Sequence, residues 1–243
     1  MEYLVAGSAT PAQRAGVATA IGRHRERNED ASLCGPSWYV VADGVGGRLG
    51  GDIASRMTVE AFAERSAPRS TEEIATALAQ VNLAIRERAR AIGVQGMAST
   101  VAGAVEVDGV VMVFHVGDSR CYHLVDGRLG VLTRDHSYVS ELVDAGRITA
   151  AEADHHRRRN IITRALGADG SVCPDVRSIV GSVGRLLLCT DGVSSVVTSD
   201  EIARILAVRS HPQFVAELLV ETAVANGATD DATVVVVDGS PDR

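Results

Sequence analysis

The sequence predicts an α+β fold in which a largely antiparallel sheet is covered by paired helices. Short Val-rich segments, separated by turn-forming residues at 108–109, 117–119 and 126–127, indicate consecutive strands. Two segments before them have apolar residues at helical spacing, with one apolar face each. Strands and helices do not alternate along the chain, which argues against a doubly wound parallel sheet.

The first part of the chain contains two predicted strands and two predicted helices. Residues 16–22 and 38–42 have the apolar content of strands, and a strongly charged run, typical of a solvated loop, lies between them at 23–30. Helical spacing predicts a helix over 51–65, and a capping-box pattern at Ser70–Glu73 precedes a longer one. Because each helix has one apolar stripe, we expect both to cover the same side of a sheet.

The second part is predicted to contain mainly strands, with a polar helical insert and two closing helices. The predicted strands lie at 100–107, 110–116, 120–125, 128–132, 160–165, 176–180, 185–189 and 232–237. The first four follow one another closely and predict a meander of hairpins. Residues 137–160 have few apolar anchors and predict a protruding flap. One closing helix is capped by Thr198, and the other starts near Pro212 and is expected to bury Phe214.

Composition limits the classes of function. The 243 residues, 46% hydrophobic and 23% charged, predict one large domain over 1–243, since nothing marks a linker. A net charge of −7 argues against a nucleic-acid partner. The four cysteines lack metal-type spacing, which indicates reduced thiols and a cytoplasmic protein. No segment approaches the ~18 consecutive apolar residues of a membrane span, and we expect a monomer.

A carboxylate followed by glycines, at 43–50, is the feature around which the rest of the chain is organised. The predicted strand ends on Asp43, and the glycines allow a sharp turn that leaves the Gly44 carbonyl free as an oxygen ligand. An ordinary glycine-rich turn would give the same pattern. A dinucleotide-binding loop fits less well, since Leu49 stands where its third glycine would lie.

Four acidic residues have the same place relative to the predicted strands. Asp43, Asp118, Asp191 and Asp230 each lie at a strand end beside a glycine or a second acid. Each of them alone is typical of a turn, but convergence at one edge of an antiparallel core accounts for all four. Close carboxylates repel one another unless they hold hard cations, and all-oxygen ligands favour Mg²⁺ or Mn²⁺ over zinc.

Eight motifs, which span almost the whole chain, are similar in order and content to those of a known family. They are Arg25-x-x-Asn28-Glu29-Asp30, Asp43-Gly44-x-Gly46-Gly47-x-x-Gly50, Gly96-Met97-Ala98-Ser99-Thr100, Val116-Gly117-Asp118-Ser119-Arg120-x-Tyr122, Leu132-Thr133-x-Asp135-His136-Ser137, Asn160-x-Ile162-Thr163-Arg164-Ala165-Leu166-Gly167, Leu187-Leu188-Cys189-Thr190-Asp191-Gly192 and Asp230-Asp231-Ala232-Thr233. The sequence thus resembles the bacterial PPM family, the type-2C metal-dependent serine/threonine protein phosphatases. The resemblance implies a four-layer αββα sandwich, in which two antiparallel β-sheets are flanked by antiparallel helix pairs.

The resemblance also implies the metal ligands. Asp43 would bridge two Mn²⁺ or Mg²⁺ ions, and the Gly44 carbonyl would bind one of them. Asp191 and Asp230 would complete the other site, while Asp118 together with Asp191 matches the positions that hold a weaker third ion in bacterial members.

Further residues match substrate and catalytic positions of the family. Arg25 matches the arginine that holds the substrate phosphate, and Glu29 and Asp30 would act mainly through metal-bound water. His156 in the flap matches a histidine found near the substrate in bacterial relatives, with an ordinary surface histidine as the equal alternative. The family usually has Asn where this chain has Asp231, so Asp231 is either an additional ligand or the replacement of an amide around the site.

Two functions from different classes are compatible with these residues. The leading one is hydrolysis of phosphoserine and phosphothreonine in proteins by a metal-activated water at a binuclear centre, opposing a bacterial Ser/Thr kinase. The alternative is a weakly active pseudophosphatase that binds phosphoproteins as a regulatory module. Loss of Asp43, Asp191 or Asp230 would favour the alternative, and all three are present. A phosphatase dedicated to an anti-sigma-antagonist protein would usually carry further sensory domains.

Overall fold

Two packed β-sheets form the centre of the computed structural model, which describes residues 14–45, 50–168, 170–181 and 183–239. The glycine motif lies partly outside these residues, since 46–49 are not among them. The strands are β1 (Ala15–Ala20), β2 (Asp30–Cys34), β3 (Trp38–Val45), β4 (Ala98–Ser99), β5 (Val101–Val107), β6 (Val110–Val116), β7 (Arg120–Val125), β8 (Arg128–Val131), β9 (Asp175–Val180), β10 (Arg185–Cys189) and β11 (Ala232–Asp238).

The strands form a five-stranded sheet in the order β1-β11-β10-β7-β8 and a six-stranded sheet that includes β2-β3-β5-β6-β9 and the short β4, which pairs with β3. Neighbouring strands in both sheets pair in the antiparallel direction. Between the sheets, Val-rich faces interdigitate, with Val41 and Val113 from one sheet and Leu188 and Val235 from the other fully or almost fully buried. This apolar layer joins the sheets face to face.

The helices are α1 (Gly51–Ala63), α2 (Thr71–Ile92), α3 (Tyr138–Asp144), α4 (Ala150–Asp154), α5 (Asp191–Ser194), α6 (Ser199–Leu206) and α7 (Pro212–Ala225). The predicted start of α2 is confirmed, because the Ser70 hydroxyl accepts the Glu73 N–H. The Glu73 carboxylate accepts the N–H of Arg69 instead of completing a capping box. Within the described ranges, no helix is both long enough and apolar enough to cross a bilayer.

The helices cover the two outer faces of the sheets. On the six-stranded sheet, α1 and α2 bury Phe62 and Leu78 against Trp38 and Phe114, with the rings of Trp38 and Phe62 5.0 Å apart. On the five-stranded sheet, α6 and α7 bury an apolar face that includes Leu219. The layers are therefore helix, sheet, sheet, helix, as the family resemblance implied. Helices α3 and α4 form the flap beside this sandwich.

Three sequence-based expectations are corrected. The segment 117–119 does not form a hairpin, because β6 and β7 belong to different sheets and the chain crosses between them there. Residues 160–165 form no strand, and an isolated bridge between Ser137 and Ile162 joins the ends of the flap. Phe214 is 51% exposed, since α7 turns its neighbour Val215 into the core instead.

Candidate active site

Both sheets contribute acids to one end of the sandwich. In the six-stranded sheet, Asp30 begins β2 and lies directly opposite Asp43 of β3. From the five-stranded sheet, Asp191 follows β10 and Asp230 precedes β11, and Asp118 lies in the crossing between the sheets. Residues distant in sequence thus meet because antiparallel neighbours bring a strand end next to the following strand's beginning.

Thr100 connects the strand of Asp43 with the crossing that carries Asp118. The Thr100 hydroxyl accepts a hydrogen bond from the Asp43 N–H at 3.0 Å, and the Thr100 N–H donates to the Asp43 carbonyl at 2.8 Å. The same hydroxyl is 2.7 Å from the Ser119 hydroxyl, next to Asp118. Both hydroxyls are buried. Sequence reasoning did not assign Thr100 a role, although it lies in one of the eight motifs.

Thr190 connects Asp30 with the five-stranded sheet. Its hydroxyl donates to Oδ2 of Asp30 at 2.8 Å and accepts the N–H of Thr233 at 3.0 Å. Thr233 in turn shares a 2.7 Å hydrogen bond with the hydroxyl of Thr19, to which Asn28 also donates. These small hydroxyl side chains fill the space between the sheets where apolar packing ends, and they fix the orientation of Asp30.

The acids repel one another strongly. Burial, together with the negative charges of Asp30, Asp191, Asp118 and Asp230, raises the pKa of Asp43 well above its ordinary value. Burial and neighbouring carboxylates raise the pKa of Asp118 to about 7 and that of Asp191 to about 6. Within the described ranges, Oδ1 of Asp30 and Oδ1 of Asp191 are buried without a hydrogen-bond partner. Negative charge in excess and unpartnered carboxylate oxygens are what a site for hard divalent cations requires.

Gly44 lies where backbone segments approach closely. A Cβ atom on Gly44 would overlap the carbonyl of Gly51 at the start of α1, so no other residue fits there without a shift. Strand β3 does not end at Asp43 as predicted but continues to Val45, because Gly44 and Val45 pair with β4. The Gly44 carbonyl remains a predicted metal ligand.

Arg25 lies at the rim of the acid cluster. Its Nη2 contacts the Asp230 carboxylate at 2.5–2.6 Å, and its Nη1 lies 3.4 Å from Oε2 of Glu29. The Arg25 side chain is 37% exposed, whereas Glu29 is buried. Burial, with repulsion from Asp52 and Asp231, raises the pKa of Glu29, and the nearby Arg25 opposes this rise. A guanidinium that touches the acids and still faces solvent is placed to meet an incoming anion.

Asp231 does not face the acid cluster with a free oxygen. Its Oδ1 accepts the N–H of Gly22 at 2.8 Å, and its Oδ2 accepts the N–H of Glu29 at 2.8 Å. The residue is 2% exposed. Since both oxygens already have backbone donors, this arrangement favours a role beside the site over a role as an additional metal ligand.

The chain is similar to proteins of known family along most of its length. The family model described as Protein phosphatase 2C matches residues 23–230. The chain belongs to the protein phosphatase 2C family. Its enzyme class is that of a serine/threonine protein phosphatase, and the resemblance seen in the eight motifs is confirmed.

Two relatives show the extent of the similarity. The serine/threonine phosphatase stp of Listeria welshimeri is 35% identical over 232 residues, which cover 89% of this chain and 92% of that protein. The serine/threonine protein phosphatase PstP of Mycobacterium tuberculosis is 35% identical over 226 residues, and there this chain spans 43% of the relative's length. A crystal structure of the PstP catalytic domain in complex with two manganese ions has a TM-score of 0.83 at 31% identity, and 94% of this chain and 98% of that chain are covered.

A polar cavity of 580 Å³ separates the flap from the sandwich of this phosphatase 2C domain. Asp118 and Asp191 lie on one side of it and Arg159 of the flap on the other. Within the described part of the chain, His156 does not line this cavity. Its Nδ1 accepts the N–H of Arg158 at 3.1 Å, and its ring lies 6.0 Å from that of Tyr138. The role of His156 near the substrate stays a prediction.

A second group of potential metal ligands lies at the base of the flap, where His115, His136 and Asp175 converge. Nη1 of Arg164 is 3.2 Å from Nε2 of His136 and 3.5 Å from Oδ1 of Asp175, so a guanidinium already occupies the place of a cation. Nδ1 of His136 accepts the N–H of Gly117 at 3.1 Å, and burial lowers the pKa of this imidazole to about 4. In this phosphatase 2C domain, His136 thus supports the crossing that carries Asp118.

Proposed function

We propose that the chain hydrolyses phosphoserine and phosphothreonine in proteins at a centre of two Mn²⁺ or Mg²⁺ ions. Asp43 would bridge the ions, with the Gly44 carbonyl, Asp191 and Asp230 as further ligands and Asp118 with Asp191 holding a weaker third ion. The observation that carries the proposal is the cluster of repelling carboxylates, two of which keep a buried oxygen without a partner. The manganese ions in the PstP structure support the choice of metal.

Bound ions of this kind activate a water for in-line attack and neutralise the charge that develops on the phosphoryl group. The protein's own residues orient the reactants. Arg25 presents a planar, permanently charged donor pair to the phosphate dianion, which suits bidentate contact better than an ammonium group would. Asp30 is held by Thr190 through Oδ2 and keeps Oδ1 free to accept a hydrogen bond from water. Glu29, beside Arg25, adds a second acceptor at the same edge.

We further propose that residues 1–243 act as one catalytic domain, as a monomer, on cytoplasmic phosphoproteins that a Ser/Thr kinase has modified. Strands from both ends of the described chain, β1 and β11, belong to the same sheet, which supports a single domain. Removal of phosphate from Ser and Thr reverses the reaction of such a kinase, which supports the pairing of the two activities.

The substitution Asp191→Ala tests the proposed ligands. We expect hydrolysis of p-nitrophenyl phosphate to require Mn²⁺, to stop when a chelator is added, and to fall by about a thousandfold in Asp191→Ala, since a metal centre supplies several kcal/mol of transition-state stabilisation. Steady-state rates over a Mn²⁺ titration are the measurement.

Asp200→Ala is the matched control, because Asp200 is also an aspartate in the first turn of a helix but is exposed and outside the cluster. Its rate should equal that of the wild type. Turnover that resists the chelator would refute the metal-dependent reaction. Mn²⁺ binding without turnover in the wild type would instead favour the phosphoprotein-binding module.

Arg25→Ala tests the phosphate contact. We expect KM for a phosphothreonine peptide to rise about 10–100-fold with a smaller change in kcat, because hydrogen bonds to charged groups contribute about 1.5–3 kcal/mol. Arg27→Ala is the control, since Arg27 belongs to the same loop but pairs with Asp52 at 3.7 Å on the surface. An unchanged KM in Arg25→Ala would remove the arginine from substrate binding.

A further inference from the structure

We infer that Asp231 is a positioning residue that clamps the loop carrying Arg25 between the two sheets. This loop, residues 21–29, is called the Arg25 loop below. The inference rests on the proposed function for its catalytic consequence, but its structural part is independent of that function.

The Arg25 loop connects one sheet to the other. It leaves the five-stranded sheet at the end of β1, where Ala20 pairs with Ala232 of β11, and it enters the six-stranded sheet at Asp30. Asp231 immediately precedes Ala232, so its side chain lies where the two sheets approach each other. Loops that cross between sheets have no neighbouring strand to hold them, and their ends need other hydrogen-bond partners.

The carboxylate of Asp231 supplies these partners at both ends of the loop. The N–H of Gly22, where the loop begins, donates to Oδ1, and the N–H of Glu29, where the loop ends, donates to Oδ2, each at 2.8 Å. Arg25 lies between these two anchors, and its own N–H donates to the Gly22 carbonyl at 3.0 Å. One side chain therefore fixes both ends of the segment that presents the guanidinium.

The same bonds fix the sheets relative to each other at the site. The Glu29 carbonyl accepts the N–H of Gly44 at 3.1 Å and the hydroxyl of Ser55 at 2.6 Å, both from the layers of the six-stranded sheet. Glu29 is thus held on one side by Asp231 and on the other by Gly44. Asp43 precedes Gly44 and Asp230 precedes Asp231, and these two acids come from opposite sheets. The bonds of Glu29 therefore help to set the distance between Asp43 and Asp230.

The backbone approaches closely on both sides of Asp231, at Gly22 and at Gly192. A Cβ atom on Gly22 would lie 2.5 Å from the backbone carbon of Asp230, and one on Gly192 would overlap the Asp231 carbonyl. Both donors are backbone N–H groups, and the carboxylate of Asp231 offers a separate acceptor oxygen to each of them. An amide at this position would keep one bond and place its NH₂ group against the second N–H.

Hydrogen exchange of the metal-free protein tests the clamp without using catalysis. We compare the wild type with Asp231→Asn, which keeps one acceptor, and with Asp231→Ala, which keeps none. Exchange in a peptide that covers 22–29 should be faster in Asp231→Asn and fastest in Asp231→Ala. Asp238→Ala is the matched control, because it removes two hydrogen bonds, from Nε and Nη2 of Arg185, at the other end of β11. Unchanged exchange over 22–29 in both Asp231 variants would overturn the inference.

Kinetics test the consequence for the substrate. In Asp231→Ala we expect KM for a phosphothreonine peptide to rise about tenfold with a smaller effect on kcat, as for a misplaced binding group. In an Arg25→Ala background, the same substitution should raise KM much less, because the group that it positions is already absent. Equal effects of Asp231→Ala in both backgrounds would show that it does not act through Arg25. A wild-type protein without Mn²⁺-dependent turnover would refute the proposed function instead, while the exchange result would still decide the clamp.

Discussion

Asp43→Asn is expected to abolish phosphatase activity and, at the same time, to stabilise the metal-free protein. Asp43 is the proposed bridging ligand, and loss of its charge should reduce turnover by about a thousandfold or more. In the metal-free state, burial and the charges of Asp30, Asp191 and Asp118 make the ionised form of Asp43 unfavourable. An amide of the same size removes this repulsion. We expect the melting temperature in chelator to rise by at least about 2–4 °C, the change that 1 kcal/mol produces in a domain of this size.

The opposite change in melting temperature is expected when an acid with a cationic partner is replaced. Asp238 pairs with Arg185 at 2.6 Å, so Asp238→Asn should lower the melting temperature and leave turnover unchanged. Melting temperatures from differential scanning fluorimetry in chelator, and turnover rates measured with Mn²⁺, test both variants. If Asp43→Asn destabilised the metal-free protein, the carboxylates would not be repelling one another as described, and the argument for a cation site would fail.

The stabilisation that Mn²⁺ gives to the protein is expected to grow as the pH rises. In the metal-free protein, the pKa of Asp118 is raised to about 7 and that of Asp191 to about 6. Acids with raised pKa values stay protonated up to a higher pH in the folded state than in the unfolded state. The metal-free protein therefore loses stability between about pH 4 and pH 7, by several kcal/mol, since one pKa unit corresponds to about 1.4 kcal/mol. A bound cation favours the ionised carboxylates and removes this loss.

The difference in melting temperature between the metal-loaded and the metal-free protein reports on these acids alone. His136 has the opposite pH dependence, because its pKa is lowered to about 4 and its neutral form is the folded one. His136 is not a proposed metal ligand, so we expect its contribution to be similar in both forms and to cancel in the difference. Melting temperatures measured with Mn²⁺ and with chelator should differ more at about pH 8 than at about pH 5. A constant difference would mean that the acids do not carry raised pKa values.

Local patterns in the sequence were sufficient for most strands and helices but not for the assignment of strands to sheets. Strand β10 has the predicted bounds, because an apolar run between turn residues has few other structures available. The residues at 117–119 suit a hairpin as well as a crossing between sheets, and only the packing of the two apolar faces decides between them. Strand β2 was missed because its first residue, Asp30, is an acid of the site and continues a charged run.

The convergence of Asp43, Asp118, Asp191 and Asp230 was predictable from acids beside predicted strand ends, although β3 continues two residues beyond Asp43; the partners of the site residues were not predictable. That Asp231 would bond Gly22 and Glu29 depends on two backbone N–H groups about two hundred residues away, which no local pattern reveals. The ion pair of Arg25 with Asp230 likewise joins distant segments. The ligand set itself remains a prediction, which the substitutions above test.

The bridge between Ser137 and Ile162 has a consequence for how such an enzyme can diversify. The N–H of Tyr138 donates to the Ile161 carbonyl and that of Thr163 to the His136 carbonyl, each at 2.8 Å, so the insert enters and leaves the domain at one point. A segment closed at its base can gain, lose or exchange residues without pulling on the strands that carry the acids. Selection for new target proteins can therefore act on this insert while the hydrolytic machinery stays constant.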